Sequence, residues 1–79
     1  MITVKLLAVL KEYAPIGSSD GCVELDHSPG MTVAEALGAT DISKATHRFS
    51  TLVNGKKKDA NDVLEDGDTV TVMPLLAGG

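Results

Sequence analysis

The two ends of the chain carry its clearest strand patterns, and these most constrain the fold. Ile2, Val4 and Leu6 alternate with other residues near the start, and Val70 and Val72 alternate near the end. Alternation of aliphatic residues with period two indicates strands that bury one face. Almost the whole chain separates the two strands, so they cannot form a hairpin. They can instead lie parallel, as neighbours at the centre of a sheet.

A second strand and a helix are predicted to follow the first strand. Cys22 to Leu25 is strand-like and is the natural antiparallel partner of the first strand. Further on, Thr32 and Glu35 have the spacing of a capping box, in which each side chain bonds the other residue's amide. This pattern predicts a helix that runs to about Leu37, with Gly38 as its stop signal.

A short hairpin is predicted in the second half of the chain. Thr51 to Val53 is strand-like, and Asn54-Gly55 follows it. Asn-Gly is the strongest short hairpin signal because both turn positions need a positive φ. Lys56 to Lys58 then forms a short return strand, and we interpret its lysines as a solvated edge that protects the sheet.

An acidic connection precedes the last strand. Residues 59–68 contain five acids and no base, and Val63 and Leu64 are their only large apolar anchors. We interpret the acids mainly as a solvated face, which could also steer the protein to a basic partner. Thr69 to Met73 forms the last strand, which Pro74 is expected to end.

This order of elements predicts an α+β fold of the β-grasp (ubiquitin-like) type. We expect a mixed sheet of four to five strands with one main helix packed on one face. The chain would comprise a β-grasp domain over residues 1–73 and a flexible C-terminal tail over 74–79 that ends in Gly-Gly.

Composition excludes several functions. The chain has 79 residues, enough for one small domain. A net charge of −4 and two aromatic residues disfavour nucleic acid as a partner. No apolar segment approaches the roughly 20 residues needed to cross a bilayer, so we expect no membrane partner and a cytoplasmic location. A single cysteine, Cys22, excludes an internal disulfide framework and a multi-cysteine zinc site.

The most informative chemistry lies at the end of the sequence. Gly78 and Gly79 follow closely on the last predicted strand. Glycine lacks a Cβ and can enter a narrow channel of another protein's active site. The Gly79 carboxylate, ionised at neutral pH, would need activation, most simply as an acyl-adenylate formed with ATP. The chain has no phosphate-binding loop, so a partner enzyme would use the ATP and this chain would bind no cofactor.

Four segments together resemble the MoaD/ThiS family of ubiquitin-like sulfur carrier proteins. The resemblance covers essentially all 79 residues. Each segment alone is weak evidence for the family, but their order along the chain, ending at Gly-Gly, makes the resemblance specific. The segments are Ile2 to Ala8 with Leu10-Lys11-Glu12, Thr32 to Leu37, Leu52 to Gly55, and Leu64 to Val70 leading into Met73 to Gly79.

The resemblance implies a carrier rather than an enzyme. A ubiquitin-activating-type adenylyltransferase would adenylate the C-terminal glycine. A sulfur donor of the cysteine desulfurase or rhodanese type would then supply sulfur for a thiocarboxylate. The length and opening motif look most like the small subunit of molybdopterin synthase, which makes that enzyme's large subunit a further expected partner. Carriers for the thiamin thiazole or another sulfur pathway remain an alternative.

The expected site residues fall into three groups. Two departures from the family bear on docking: the family often has an aromatic residue where Leu7 and Met73 stand, and a second proline where Leu75 follows Pro74. We therefore expect an aliphatic partner surface and a less stiff tail. No metal site is expected. The reactive residue would be Gly79, the threading residues Gly78 and Ala77, and the docking residues Leu7, Met73, Leu75 and Leu76.

Other interpretations stay open at this stage. Cys22 is the only thiol, but its place beside Val23 favours a packed side chain over a persulfide carrier. His27 and His47 lack a paired ligand pattern, so packing is favoured over metal binding. A ubiquitin-like modifier joined to lysine through Gly79 would share the activation step. A non-catalytic β-grasp interaction module with an inert tail is the alternative of another class.

Overall fold

A five-stranded mixed sheet organises the fold. The computed structural model describes residues 1–15, 18–44 and 48–75. Two 3-10 helices, Ala8–Tyr13 and Ile42–Lys44, lie outside the sheet. The remaining elements are β1 (Ile2–Leu6), β2 (Cys22–Leu25), α1 (Val33–Leu37), β3 (Phe49–Val53), β4 (Lys56–Lys57) and β5 (Thr69–Pro74). The sheet order is β2-β1-β5-β3-β4.

The register places the first and last strands side by side at the sheet centre. β1 pairs with β5 in parallel, with Val4 opposite Val70. The other pairings are antiparallel. β2 pairs with the other edge of β1, β3 pairs with the other edge of β5, and β4 pairs with β3. This arrangement is the predicted β-grasp fold, and it confirms the parallel pairing of the two ends of the chain.

Alternation along the central strands separates a core face from an outer face. Ile2, Val4 and Leu6 have no exposed surface, and neither do Val70 and Val72. These side chains share one cluster with residues of α1 and of the first 3-10 helix, which cover the core face. The outer face of the sheet carries the intervening residues. The other buried members of the cluster are Leu10, Met31, Val33, Ala36, Ile42, Val53 and Leu64.

The helix begins at the predicted capping box. The Glu35 amide donates to the Thr32 hydroxyl at 3.3 Å, and the Thr32 amide donates to the Glu35 carboxylate at 3.4 Å. α1 ends before Gly38, whose amide donates to the Ala34 carbonyl at 2.9 Å. Val33 and Ala36 face the core and are fully buried, and Leu37 is half-buried.

The predicted Asn-Gly turn joins β3 to β4 and also binds the start of β5. Asn54 and Gly55 have φ of 52° and 84°, the left-handed region that this turn needs. The Asn54 side chain accepts from the Thr69 amide at 3.0 Å and donates to the Asp68 carboxylate at 2.8 Å. The hairpin is therefore fastened to the strand that leads to the tail.

Four details differ from the sequence prediction. β3 begins at Phe49 rather than Thr51, β5 runs through Pro74, and the return strand stops at Lys57. Val63 is 62% exposed, whereas Leu64 is 2% exposed. Val63 lies in an isolated bridge opposite Thr32, and successive side chains of an extended segment point to opposite sides. Only one of two adjacent residues can therefore anchor the acidic connection.

Candidate functional site

The candidate site is the end of β5, the last strand of the chain. The Leu75 amide donates to the Arg48 carbonyl at 2.9 Å, which extends the pairing of β3 and β5 past Pro74. On the other side of β5, the Leu7 amide donates to the Val72 carbonyl at 3.0 Å. The chain is thus held on the sheet as far as Leu75.

Pro74 ends the parallel pairing between β1 and β5. If the ladder continued, the residue at position 74 would donate its amide to the Leu7 carbonyl, but proline has no N–H. The Leu7 carbonyl instead accepts the Leu10 amide at 3.0 Å, which begins the first 3-10 helix. Pro74 therefore releases β1 to turn away while the other neighbour, β3, still holds Leu75.

An apolar group lies on the outer face around this point, and we call it the outer patch: Leu7, Leu52, Met73 and Leu75. Continuing the register of β1 brings Leu7 level with Met73, and Leu52 lies opposite Thr71 on the same face. Leu7, Leu52 and Met73 are half-buried, and Leu75 is 53% exposed. Within the described residues, the helix and both 3-10 helices contribute their buried side chains to the opposite face. The outer patch therefore lies on the open side of the sheet.

Comparison with known proteins identifies the family. A model of the ThiS family matches residues 4–79. The chain belongs to the ThiS family. The crystal structure of SAMP1 from Haloferax volcanii is similar over 99% of this chain and 98% of that chain, at 26% identity and a TM-score of 0.74. No curated protein matches the sequence.

A second solved structure agrees with the first. Small archaeal modifier protein 1 of H. volcanii is 25% identical, with a TM-score of 0.73, over 95% of this chain and 97% of that chain. The family match confirms the resemblance drawn from the sequence motifs, and the neighbours confirm the β-grasp fold.

The structure brings together three of the residues predicted to form the site of this ThiS-family chain. Leu7, Met73 and Leu75 share the outer face at the end of β5. Their role in docking stays a prediction. The other predicted site residues, Leu76, Ala77, Gly78 and Gly79, lie outside the described residues.

Leu52 is a member of the outer patch that sequence reasoning missed. Thr51-Leu52-Val53 contains two adjacent apolar residues, so alternation alone does not say which one faces the core. The Asn-Gly turn and the pairing with β5 decide it: Val53 lies opposite the buried Val70, and Leu52 therefore points outward. The available signal was the alternation of the last strand, which predicts that Val70 faces the core, together with the turn that precedes it.

The remaining candidate side chains have ordinary surroundings. Cys22 is half-buried on the outer face, where it lies opposite Lys5 rather than over the core. The His27 ring nitrogen Nε2 is 3.0 Å from the Leu64 carbonyl, which agrees with a packing role. His47 lies outside the described residues. Across residues 1–15, 18–44 and 48–75, no three histidine, cysteine or acidic residues are grouped to hold a metal ion.

The acidic connection is shaped by its own carboxylates. The Asp62 carboxylate accepts the Asp59 amide at 2.7 Å, and the Asp68 carboxylate accepts the Glu65 amide at 2.8 Å. Two of the five acids therefore close local turns.

No helix in the described part of the chain has the length and apolarity to span a bilayer.

Proposed function

We propose that this chain is a sulfur carrier whose Gly79 carboxylate is adenylated by a partner enzyme and then converted to a thiocarboxylate. The observation that carries the proposal is the ThiS family match, which extends through residue 79 and so includes the terminal Gly-Gly. The chain itself acts as a co-substrate. ATP and the residues that bind it belong to the partner, a ubiquitin-activating-type adenylyltransferase.

The chemistry needs only the carboxylate from this chain. A Gly79 carboxylate oxygen attacks the α-phosphorus of ATP, and pyrophosphate leaves. When sulfur arrives as hydrosulfide, its attack on the acyl carbon expels AMP and one proton, and no oxidation state changes. In the cell, the persulfide of a cysteine desulfurase or rhodanese would attack the acyl carbon and expel AMP, and a second thiol would then reduce the acyl disulfide to the thiocarboxylate, ending in a disulfide with the donor cysteine. The product is the thiocarboxylate of Gly79.

The end of β5 limits how deep the partner's nucleotide can lie. Four residues follow Leu75, the last residue that the structure describes, whose amide is bonded to the sheet. A fully extended chain of that length reaches about 14 Å. The reacting phosphorus must therefore lie within about that distance of Leu75, so the partner has to come close to the end of β5, where the outer patch lies. This requirement supports docking roles for Leu7, Met73, Leu75 and Leu76.

The most direct test is intact mass spectrometry after incubation with the adenylyltransferase from the same genome, ATP and sulfide. We expect the mass to rise by the difference between sulfur and oxygen. A variant that lacks Gly79 is the control and should stay unchanged. If the wild-type mass stays unchanged while the enzyme is shown to adenylate this chain, thiocarboxylate formation is excluded.

Molybdopterin is the proposed destination of the sulfur, with the large subunit of molybdopterin synthase as the partner that binds the loaded carrier. Its support is the likeness of the opening strand motif and the chain length to that branch. Thiamin thiazole formation is the competing destination. The loaded carrier is incubated with the purified enzyme of each pathway and its substrate, and the mass of the product shows which of the two compounds has received the sulfur.

Conjugation to proteins is a second candidate function. Its support is the 25% identity and shared fold with a protein named as a small archaeal modifier. In that case the nucleophile at the acyl-adenylate is a lysine amine rather than sulfide. Isopeptide-linked Gly79 peptides in digests of host extract would establish it, and the variant lacking Gly79 should yield none. An inert interaction module would instead give neither conjugates nor a loaded carrier.

A further inference from the structure

The outer patch is surrounded by cations, although the chain as a whole has a net charge of −4. Arg48 lies opposite Leu75, whose amide donates to the Arg48 carbonyl. Lys5 and Lys57 end a row that crosses four strands. That row runs Lys5, Thr71, Leu52 and Lys57, each opposite the next in the register.

These three cations are exposed and widely spaced. Three strand-to-strand steps separate Lys5 from Lys57, or about 14 Å. Four residues of extended chain separate Arg48 from the row, a similar distance. Among the described residues, no carboxylate lies within 4.0 Å of any of the three, whereas Lys11 pairs with Asp20 at 2.9 Å. Their charge is therefore presented to solvent around the outer patch.

The other two lysines of the hairpin face a different environment. Lys56 lies opposite the buried Val53 and so belongs to the core side of the sheet. Lys56 and Lys58 line a surface cavity of about 250 Å³ together with carboxylates of the acidic connection. The three consecutive lysines are thus divided by strand alternation, with Lys57 alone on the outer face. The carboxylates in that cavity belong to Asp62, Glu65 and Asp68.

Carboxylates are scarce on the outer face. Glu24 is the only acid within the described strands, and it lies opposite Thr3 towards the far end of β1 from the outer patch. The acids of residues 59–68 had suggested steering towards a basic partner. The charges around the outer patch have the opposite sign, so that expectation does not fit a partner that docks here.

We infer that the outer patch docks on a surface of the adenylating partner in which carboxylates surround an apolar contact. Lys5, Arg48 and Lys57 lie opposite those carboxylates, and Leu52 belongs to the apolar contact. Charges at the rim of an interface mainly set the association rate and its salt dependence. The cations thereby guide the chain onto that surface of the partner in the one orientation that presents its tail. This inference rests on the proposed function.

The hairpin supplies a matched pair of variants, Lys57→Glu and Lys56→Glu. Both change the net charge equally, in adjacent exposed residues of one strand, and only the face differs. The association rate constant is measured by stopped flow with the adenylyltransferase of the same genome, from about 50 to about 500 mM salt. We expect Lys57→Glu to lower it about tenfold at low salt and Lys56→Glu less than twofold, with the difference vanishing at high salt.

Arg48→Glu and Lys5→Glu should each slow association in the same way as Lys57→Glu. Thermal melting of every variant, compared with wild type, ensures that folded chains are compared. At saturating partner concentration, Lys56→Glu should be adenylated at the wild-type rate, because Lys56 lies on the core side of the sheet and the tail is unchanged.

Two results would overturn the inference while leaving the proposed function intact. One is equal slowing by Lys57→Glu and Lys56→Glu, which would mean that net charge alone matters. The other is wild-type association that quickens as salt is added, which would mean that partner and chain repel. Failure of the wild-type chain to be adenylated at all would instead defeat the proposed function, and the inference with it.

Discussion

The two faces of the sheet differ in what holds their apolar side chains in place. On the core face, Val70 and Val72 have no exposed surface and pack in one cluster with α1. On the outer face, Met73 follows directly on Val72 in the same strand but is only half-buried, and Leu75 is more than half exposed. One strand therefore contributes both to the core and to an open apolar surface.

The difference shows which residues folding requires. A sheet of this kind can leave one face to solvent, and that face is then usually polar. Apolar residues grouped on such a face gain little stability from the fold and indicate a surface that binds a partner. The core face thus explains why the chain folds, and the outer face is where we propose that the partner docks.

The largest expected effect comes from truncating Leu6, the last residue of β1, in comparison with Leu7, which follows it on the other face of the sheet. Leu6→Ala removes a fully buried side chain and should lower the free energy of unfolding by about 2–5 kcal/mol. Leu7→Ala trims a half-buried one and should cost about 1 kcal/mol, while weakening partner binding. Urea unfolding of the two variants measures both costs. Equal destabilisation would mean that Leu7 belongs to the core, and the comparison would fail.

Gly78→Val should affect chemistry without affecting folding. A Cβ at the position that passes beside the partner's nucleotide would collide or forbid the needed φ, so adenylation should fall about 100-fold. ATP–pyrophosphate exchange measures the rate, and the melting temperature should equal that of wild type. Gly78→Ala serves as a graded control with an intermediate loss. A wild-type exchange rate, or an unfolded variant, would contradict a threaded tail.

Leu75→Asp should weaken docking at least tenfold by carrying a charge into an apolar contact. Val63→Asp is the matched control, because Val63 is also an exposed aliphatic residue, at 62% against 53%, but lies outside the outer patch. The dissociation constant of Val63→Asp for the adenylyltransferase should match that of wild type. Leu76→Asp should behave like Leu75→Asp. If the two exposed sites respond alike, the outer patch has no special role.

Cys22→Ala should give the smallest effect. The thiol is half-buried on the outer face and away from the core, so the free energy of unfolding should change by less than about 1 kcal/mol. Thiocarboxylate formation, read by intact mass, should proceed as in wild type. A folded Cys22→Ala chain that carries no sulfur would show that this thiol takes part in the transfer.

The sequence predicted the elements whose physics is local. The capping box at Thr32 and Glu35 and the turn at Asn54-Gly55 each depend on a few adjacent residues, and both appear where predicted. Alternation along β1 was equally clear, because only one of each pair of neighbours up to Leu6 is aliphatic. The parallel pairing of β1 with β5 followed from order and topology rather than from any single residue.

The parts that escaped prediction depend on which strands meet. Val63 and Leu52 are each aliphatic and each adjoin another aliphatic residue, so the local sequence does not say which of the two neighbours is buried. Only the residue that lies opposite each one in the pairing decides which face it occupies. The sign of the charge around the outer patch was hidden for the same reason. Arg48 and Lys57 join it through the register of β3, which lies far from β1 in sequence.

The pairing of β1 with β5 also determines when this protein can fold. The central ladder joins the two extremes of the chain, so the contacts that complete the core close a loop of nearly maximal length. Such non-local contacts form late and slow folding. On the ribosome, β1, β2 and α1 emerge well before β5 and cannot bury their shared face without it. We therefore expect prematurely terminated chains to stay unfolded, because they lack the strand that completes the core.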